Sequence, residues 1–312
     1  MAVTINTNVD SIKIQGKLST ATKKLSTTME RMSSGLKINR AGDDAAGSVI
    51  AAKMDVQLGG NKIAQNNIQN ATNMLSTVEG NLDVIQDNLS RIRDLTLQAK
   101  NMTYSKDEKE AIQAEITERI AEIDRVSTSS KYSGLHLFNG DEADDILKDG
   151  ATFQVGADAR EDNTISVDAD LFKSVKFSAL TGMETVAQVS ATGGGAGAGG
   201  ADPTGTTSID GGFDVSTLDS ANLSLAVQNM DAAINKITAR KSLIGSAQNR
   251  LDSALDTLTA QFENLSSSKS VITDADIASE ASEYTQNQIL QQISTSVLAQ
   301  ANQAPAIATS LI

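Results

Sequence analysis

The side chains that most often carry chemistry are scarce in this chain. His136 is its single histidine and cysteine is absent, so a two-histidine zinc motif, a thiolate metal site and a cysteine nucleophile are all excluded. Three groups of carboxylates remain. Asp43-Asp44 precede an alanine-rich run, where acidic side chains favour a helix start through the dipole and need no catalytic role. Asp141, Glu142, Asp144 and Asp145 form one acidic cluster, and Asp168 with Asp170 another. Neither has the spaced ligands, central glycine and terminal glutamate of a calcium loop, and both read as solvated acidic turns. The glycine-rich tract from Gly193 to Gly200 lacks the Lys-Ser/Thr ending of a phosphate-binding loop. Asn88-Leu89-Ser90 has the form of a glycosylation triplet but falls within a helical pattern. No catalytic constellation can be assembled, and no cofactor or metal is expected.

The elements that would position any site are mostly helices. Apolar residues at alternating steps of four and three mark coiled-coil seams. One runs Ala64, Ile68, Ala71, Leu75, Val78, Leu82, Ile85, Leu89, Ile92, Thr96, Ala99. A second runs from Leu223 through Met230, Ile237, Ile244, Leu251, Leu258 and Leu265 to Ile272, interrupted by Lys241, Gln248 and Lys269. Polar residues on a seam specify register at some expense of stability. Ser105 with Glu108 forms a capping box, opening a helix whose face carries Ile112, Ile116, Ile120, Ile123 and Val126. Asp43-Asp44 mark the start of a long helix reaching Ala99, roughly 80 Å if continuous. Gly59-Gly60 predict a bend or a tolerated weak point in it.

Between about 130 and 215 the pattern changes. Ser133-Gly134 and Asn139-Gly140 are turn signals, Thr152 to Val155 and Thr164 to Val167 read as strands, and Phe172 to Phe177 as a further one. The expected fold is mainly α with a small β part: paired terminal helices, an elongated helical bundle with a β-hairpin region, and a short glycine-rich outer segment. The chain is expected to fold back on itself. Its divisions are 1–40 with 273–312, then 41–176 with 215–272, and 177–214 as the outer region.

Charge separates the two ends. Residues 1–40 carry seven basic side chains against Asp10 and Glu30, a net +5, whereas 273–312 carry four acidic and no basic ones. That opposition predicts attraction between the arms, with Lys13, Lys17, Lys23 and Lys24 contributing. The whole chain has a formal charge of −13, which disfavours nucleic acid and anionic membrane. No run of about 18 apolar residues is present for a membrane-spanning helix. Met1 to Lys13 lacks the apolar stretch of a cleavable secretory signal. Both arms are rich in Ser, Thr, Asn and Gln, so as isolated helices they are marginal and expected to order on association.

These segments resemble bacterial flagellin. The resemblance rests on Ile5-Asn6-Thr7-Asn8, Glu30-Arg31-Met32-Ser33-Ser34-Gly35-Leu36-Lys37-Ile38-Asn39 and Gly42-Asp43-Asp44-Ala45-Ala46-Gly47 near the start. It continues through Phe153-Gln154-Val155-Gly156-Ala157, Gln248-Asn249-Arg250-Leu251, Asn287-Gln288-Ile289-Leu290-Gln291-Gln292 and Leu298-Ala299-Gln300-Ala301-Asn302-Gln303-Ala304-Pro305. It implies a structural filament subunit, not an enzyme, whose terminal arms pair as an inner tube. Export unfolded through the flagellar type III apparatus, secretion to the cell exterior and self-assembly into a helical homopolymer follow from the resemblance. So do an export chaperone and the filament cap and hook-junction proteins as partners. It places the polymerisation seam on Leu18, Leu25, Met29, Met32, Leu36, Ile289, Ile293 and Val297. Arg91, Leu95 and Glu115 match the patch that Toll-like receptor 5 recognises in flagellins, and packing between subunits is the alternative use of the same residues. A hook-filament junction protein, a secreted enzyme with coiled-coil ends and an injection-apparatus tip protein are the rival readings.

Overall fold

A computed structural model describes residues 8–101, 103–138, 147–183, 213–215 and 220–310. The chain divides into two compact units, one of residues 1–59 with 260–312 and the other of residues 60–259. Among the described residues no helix is long and apolar enough to cross a membrane.

The second unit contains the hydrophobic core. Helix α2 spans Ala45–Ala99, and from Ala64 to Ala99 its seam is at most 2 % exposed at every position, Thr96 included. Helix α3, Lys106–Ser129, begins at the expected capping box, with Ser105 N–H donating to Glu108 Oε2 at 2.7 Å and Glu108 N–H to Ser105 Oγ at 3.4 Å. Its five expected apolar positions, Ile112, Ile116, Ile120, Ile123 and Val126, are all buried. Helix α5, Ser220–Thr273, runs antiparallel to α2. The direction shows in cross-links that descend α5 as they climb α2: Gln248 to Ser76 and Glu79, Lys241 to Asp83 and Gln86, Asp231 to Arg93, and Met230 to Thr96. Lys241 and Gln248, the polar interruptions of the second seam here, therefore each reach a polar partner on α2.

Two small antiparallel strand pairs also lie in this unit. Strand β1, Lys131–Tyr132, meets β2, Leu135–His136. The two residues between them, Ser133 and Gly134, have φ of 49° and 90°, the doubly left-handed backbone of a type I′ turn, which suits the strand twist. His136 lies in β2 opposite Lys131. Strand β3, Ala151–Gln154, pairs with β4, Thr164–Val167, with Phe153 opposite Ile165. Asn139-Gly140, the cluster Asp141 to Asp145 and the tract Gly193 to Gly200 lie outside the described residues.

One expectation is corrected. Phe172 to Phe177 is not a strand: a single 3-10 turn at Ala169–Leu171 leads into it and helix α4, Phe177–Thr181, closes it. Among the described residues no neighbouring strand offers a ladder there, and Phe172, Val175 and Phe177 are fully buried in the core instead. The Phe177 N–H, free at the start of α4, is satisfied by Asp124 Oδ1 at 2.9 Å. Gly59-Gly60, expected as a bend or a tolerated weak point, is the latter: α2 is helical across both. A Cβ on Gly60 would lie 2.7 Å from the Cβ and 3.0 Å from the Cα of Ala157, whereas one on Gly59 would meet nothing within 4 Å. Gly60 permits a close approach of backbone to helix; Gly59 costs helix propensity with no packing return.

The two glycines should thus respond oppositely to the same change. Gly59→Ala should raise the unfolding free energy by up to about 1 kcal/mol. Gly60→Ala should lower it by about 1–2 kcal/mol, because overpacking against Ala157 outweighs the propensity gain. Urea denaturation of the two variants measures both signs.

Candidate interaction surface

The first unit repeats the helical period of the second but distributes its apolar side chains differently. Helix α1, Val9–Ser34, is started by Asn8, whose side chain accepts from Ser11 N–H at 3.0 Å, and is ended by Gly35 in the left-handed conformation at φ 71°. Asp44 caps α2 through Gly47 N–H at 3.0 Å. Asp43 Oδ2 instead accepts the N–H groups of Arg40 and Asn39, at 2.9 and 3.1 Å, and these bonds hold its carboxyl below the usual range. Helix α6, Ile277–Ser310, runs antiparallel to α1. Asn8 Nδ2 donates to the Ala301 carbonyl at 2.7 Å, Gln291 Nε2 to Thr22 Oγ1 at 3.3 Å, and Arg31 Nη1 to Glu280 Oε1 at 3.4 Å. Beyond the ends of the two helices Leu36 forms an antiparallel bridge with Asp274, through Lys37 N–H to Thr273 O and Ala275 N–H to Gly35 O.

The facing residues alternate by three and four on both helices. On α1 the less exposed positions are Ser11, Ile14, Leu18, Ala21, Leu25, Thr28, Arg31 and Met32; on α6 they are Glu280, Ala281, Tyr284, Asn287, Gln291, Ser294, Leu298 and Ala301. The α6 side of this seam is largely polar. Most of its large aliphatic residues point away, Leu298 excepted: Ile277, Ile289, Leu290, Ile293 and Val297 are 39 to 53 % exposed. A shallow depression lined by Ser282, Thr285, Gln286, Ile289 and Leu290 runs along that outer face. Among the described residues of this unit, the buried apolar side chains are Ala21 and Ala51 alone.

The eight expected seam residues accordingly fall on two surfaces. Leu18, Leu25 and Met32 face α6, while Met29, Leu36, Ile289, Ile293 and Val297 are exposed. The expected charge attraction narrows to one contact. Lys13, Lys17, Lys23 and Lys24 stay exposed, and among the described residues the ion pair joining α1 to α6 is Arg31–Glu280. Sequence reasoning missed Glu280, Asn287 and Gln291 as facing residues, although they share a three-four spacing with Leu298 and Ala301.

Of the second patch, Arg91 and Glu115 meet across α2 and α3. Glu115 Oε1 accepts from Arg91 Nε at 3.0 Å and from Arg119 Nε at 3.1 Å, and Arg119 Nη1 continues to Asn88 Oδ1 at 3.2 Å. The Arg91 hydrogen bond, aided by Arg119, holds the Glu115 carboxyl below its ordinary range. Leu95 is 2 % exposed and belongs to the core beneath this pair. Asp168 caps the turn that follows it through Asp170 N–H at 3.0 Å, and Asp170 pairs with Lys173. Among the described residues no group of three or more potential metal ligands comes together.

Comparison with known proteins gives matches at both ends. The chain matches the bacterial flagellin N-terminal helical region over residues 5–143 and the bacterial flagellin C-terminal helical region over residues 227–312. It is 33 % identical over 315 residues to the flagellin of Bacillus subtilis, covering 96 % of this chain and 97 % of that one. It is 31 % identical over 299 residues to the flagellar filament 30.7 kDa core protein of Treponema maltophilum, covering 96 % and 95 %. A putative flagellar hook-associated protein from Vibrio parahaemolyticus shares the fold, with a TM-score of 0.55 at 15 % identity over 74 % of this chain and 99 % of that one.

The Arg91–Glu115–Arg119 contact should make a small, pH-dependent contribution. A carboxylate held below its ordinary value stabilises the fold fully above that value and ceases to do so as the pH falls through the lowered one. Glu115→Gln should therefore cost up to about 1 kcal/mol at neutral pH, an exposed-pair magnitude. The difference from the unaltered chain should shrink once the pH drops below about 4. Denaturant unfolding of both at several pH values reads this directly.

Proposed function

The chain belongs to the bacterial flagellin family, and from that premise we infer that it is a structural subunit of the flagellar filament and not an enzyme. We propose that it polymerises with copies of itself through the outer face of α6 and the exposed apolar residues of α1. The observation that carries this reading is the distribution of aliphatic side chains in the first unit. Burying one Ile, Leu or Val side chain is worth about 1.5–3 kcal/mol. An ordered helix that turns Ile277, Ile289, Leu290, Ile293 and Val297 to solvent while facing Glu280, Asn287 and Gln291 inward gives up most of that energy within one copy. Contact with another copy restores it. The exposed Arg–carboxylate pairs, at about 0–1 kcal/mol each, are too weak to substitute.

Residues 1–40 with 273–312 are on this reading the inner paired-helix domain, 41–176 with 215–272 the bundle and hairpin domain, and 177–214 the outer region. Export unfolded through the type III apparatus, an export chaperone, and the cap and hook-junction proteins belong to the same proposal, as does a place outside the cell. The absence of cysteine suits that route, since no disulfide has to be kept open before export. We propose Arg91, Leu95 and Glu115 as a Toll-like receptor 5 patch in which Arg91 and Glu115 supply the accessible polar groups and buried Leu95 supports the helix surface from beneath.

Ile289→Asp with Ile293→Asp should abolish filament growth from seeds, observed by negative-stain microscopy. Unfolding of the soluble subunit should be unchanged, because neither residue is in the core; normal filaments from this variant would refute the assembly surface. For the receptor patch, Arg91→Ala should cost the soluble subunit no more than about 1 kcal/mol yet sharply reduce receptor activation. Leu95→Ala should cost about 2–4 kcal/mol of stability. Undiminished activation by the Arg91 variant, with its fold intact, would remove the assignment.

A further inference from the structure

A heptad seam has a built-in ambiguity: moving one helix by seven residues, about 10 Å, brings similar positions opposite each other again. The α1–α6 seam is prone to this. On α1 it repeats medium-sized apolar residues, Ile14, Leu18, Ala21 and Leu25, and on α6 it repeats polar ones, so few side chains in it tell one register from the next. The hydrogen bonds along its length join Asn, Gln, Ser and Thr side chains to one another or to a carbonyl, groups that occur all along both helices.

Arg31 and Glu280 differ from every other facing pair. They are the ion pair between these helices among the described residues, and Glu280 is 9 % exposed. Arg31 Nε and Glu280 Oε2 are buried without a hydrogen-bond partner, so the hydrogen bonding between the two side chains rests on the one 3.4 Å contact of Arg31 Nη1 with Glu280 Oε1, while Asp43 adds a longer-range attraction for Arg31. A buried charge that loses its partner is strongly destabilising, whereas the intact pair adds little net stability. Such a pair therefore penalises wrong registers more than it rewards the right one. Sliding α6 by a heptad in one direction sets Arg31 against Asn287 and Glu280 against Ile38. Sliding it in the other sets Arg31 against Thr273 and Glu280 near Lys24, so neither keeps the partner it has in the native register. The pair also lies next to the Leu36–Asp274 bridge, where the register imposed by two backbone hydrogen bonds must be carried into the helices.

We propose that Arg31 and Glu280 are the specificity-determining residues for the register in which the two arms pair. The outer stripe of α6 lies where a neighbouring copy can use it only in that register. A one-heptad slip displaces Ile289, Ile293 and Val297 by about 10 Å relative to α1 and would present a different composite surface. This inference rests on the self-assembly reading. Filament formation by the unaltered protein tests that reading, and a distance within the assembled subunit tests this one.

The chain has no cysteine, so nitroxide labels can be placed at Lys13→Cys and Glu283→Cys, two exposed positions well separated along the pair. The labelled chain is diluted into unlabelled chain of the same genotype, and the electron-electron distance distribution is recorded in the filaments. The Glu280→Gln background should reduce the native-register population at least about threefold and add a population displaced by about 8–10 Å. The exchanged pair, Arg31→Glu with Glu280→Arg, should restore both the single distance and filament growth. Should Glu280→Gln form no filament, recovery of filaments and of the native distance by the exchanged pair is the supporting result. An unshifted distribution in the Glu280 variant overturns the proposal. So does a uniform loss of order without a displaced population, or failure of the exchanged pair to recover, since either means that the pair only stabilises.

Discussion

Burial of the α2 seam is the interaction on which the second unit depends. From Ala64 to Ala99 every seam position is at most 2 % exposed, which requires helices on more than one side of α2. Helix α5 supplies one, through the rungs at Gln248, Lys241 and Asp231, and α3 another, through Arg91 and Glu115. Features elsewhere in the unit follow from this. The close approach of Ala157 to Gly60, the small hairpins, the Phe177–Phe213 ring contact and buried Phe172 all belong to the same unit and fill in around the paired helices.

The first unit obeys the same periodicity under the opposite rule. In the second unit the apolar stripe of each helix is covered by its own chain. In the first, α6 turns its polar stripe to α1 and its aliphatic stripe outward, and only alanines are fully buried among the described apolar residues. A helix whose strongest apolar face is unpaired is stable in proportion to what later covers it. Membership of a structural filament family is consistent with that arrangement.

Polar residues within seams have different work in the two units. Lys241 and Gln248 reach to the flank of α2, where Asp83, Gln86, Glu79 and Ser76 stand partly in solvent, and their loss would leave no buried charge stranded. Glu280 is enclosed, and its partner Arg31 is three-quarters covered. Desolvation, not the distance between the charges, separates a solubilising contact from one that discriminates between alternatives.

Local rules read well from the sequence. The capping box at Ser105 and Glu108, the Ser133-Gly134 turn, the strands near Thr152 and Thr164 and the α2 seam all depend on residues a few positions apart, and each appears where its spacing puts it. Phe172 to Phe177 misled because an apolar run reports burial without saying whether a neighbouring strand exists. Gly59-Gly60 was legible only as a pair, because a missing Cβ lowers helix propensity and equally admits a close neighbour, and only the position of Ala157 tells the role of one glycine from that of the other. The sequence determined by itself that both arms are amphipathic helices with a flagellin pattern. Which stripe of α6 faces inward, and that Leu18, Leu25 and Met32 lie on a different surface from Ile289, Ile293 and Val297, was decided by the tertiary structure. Periodicity defines the faces of a helix, but the choice of which face a partner covers is a comparison of contact energies between helices far apart in the chain.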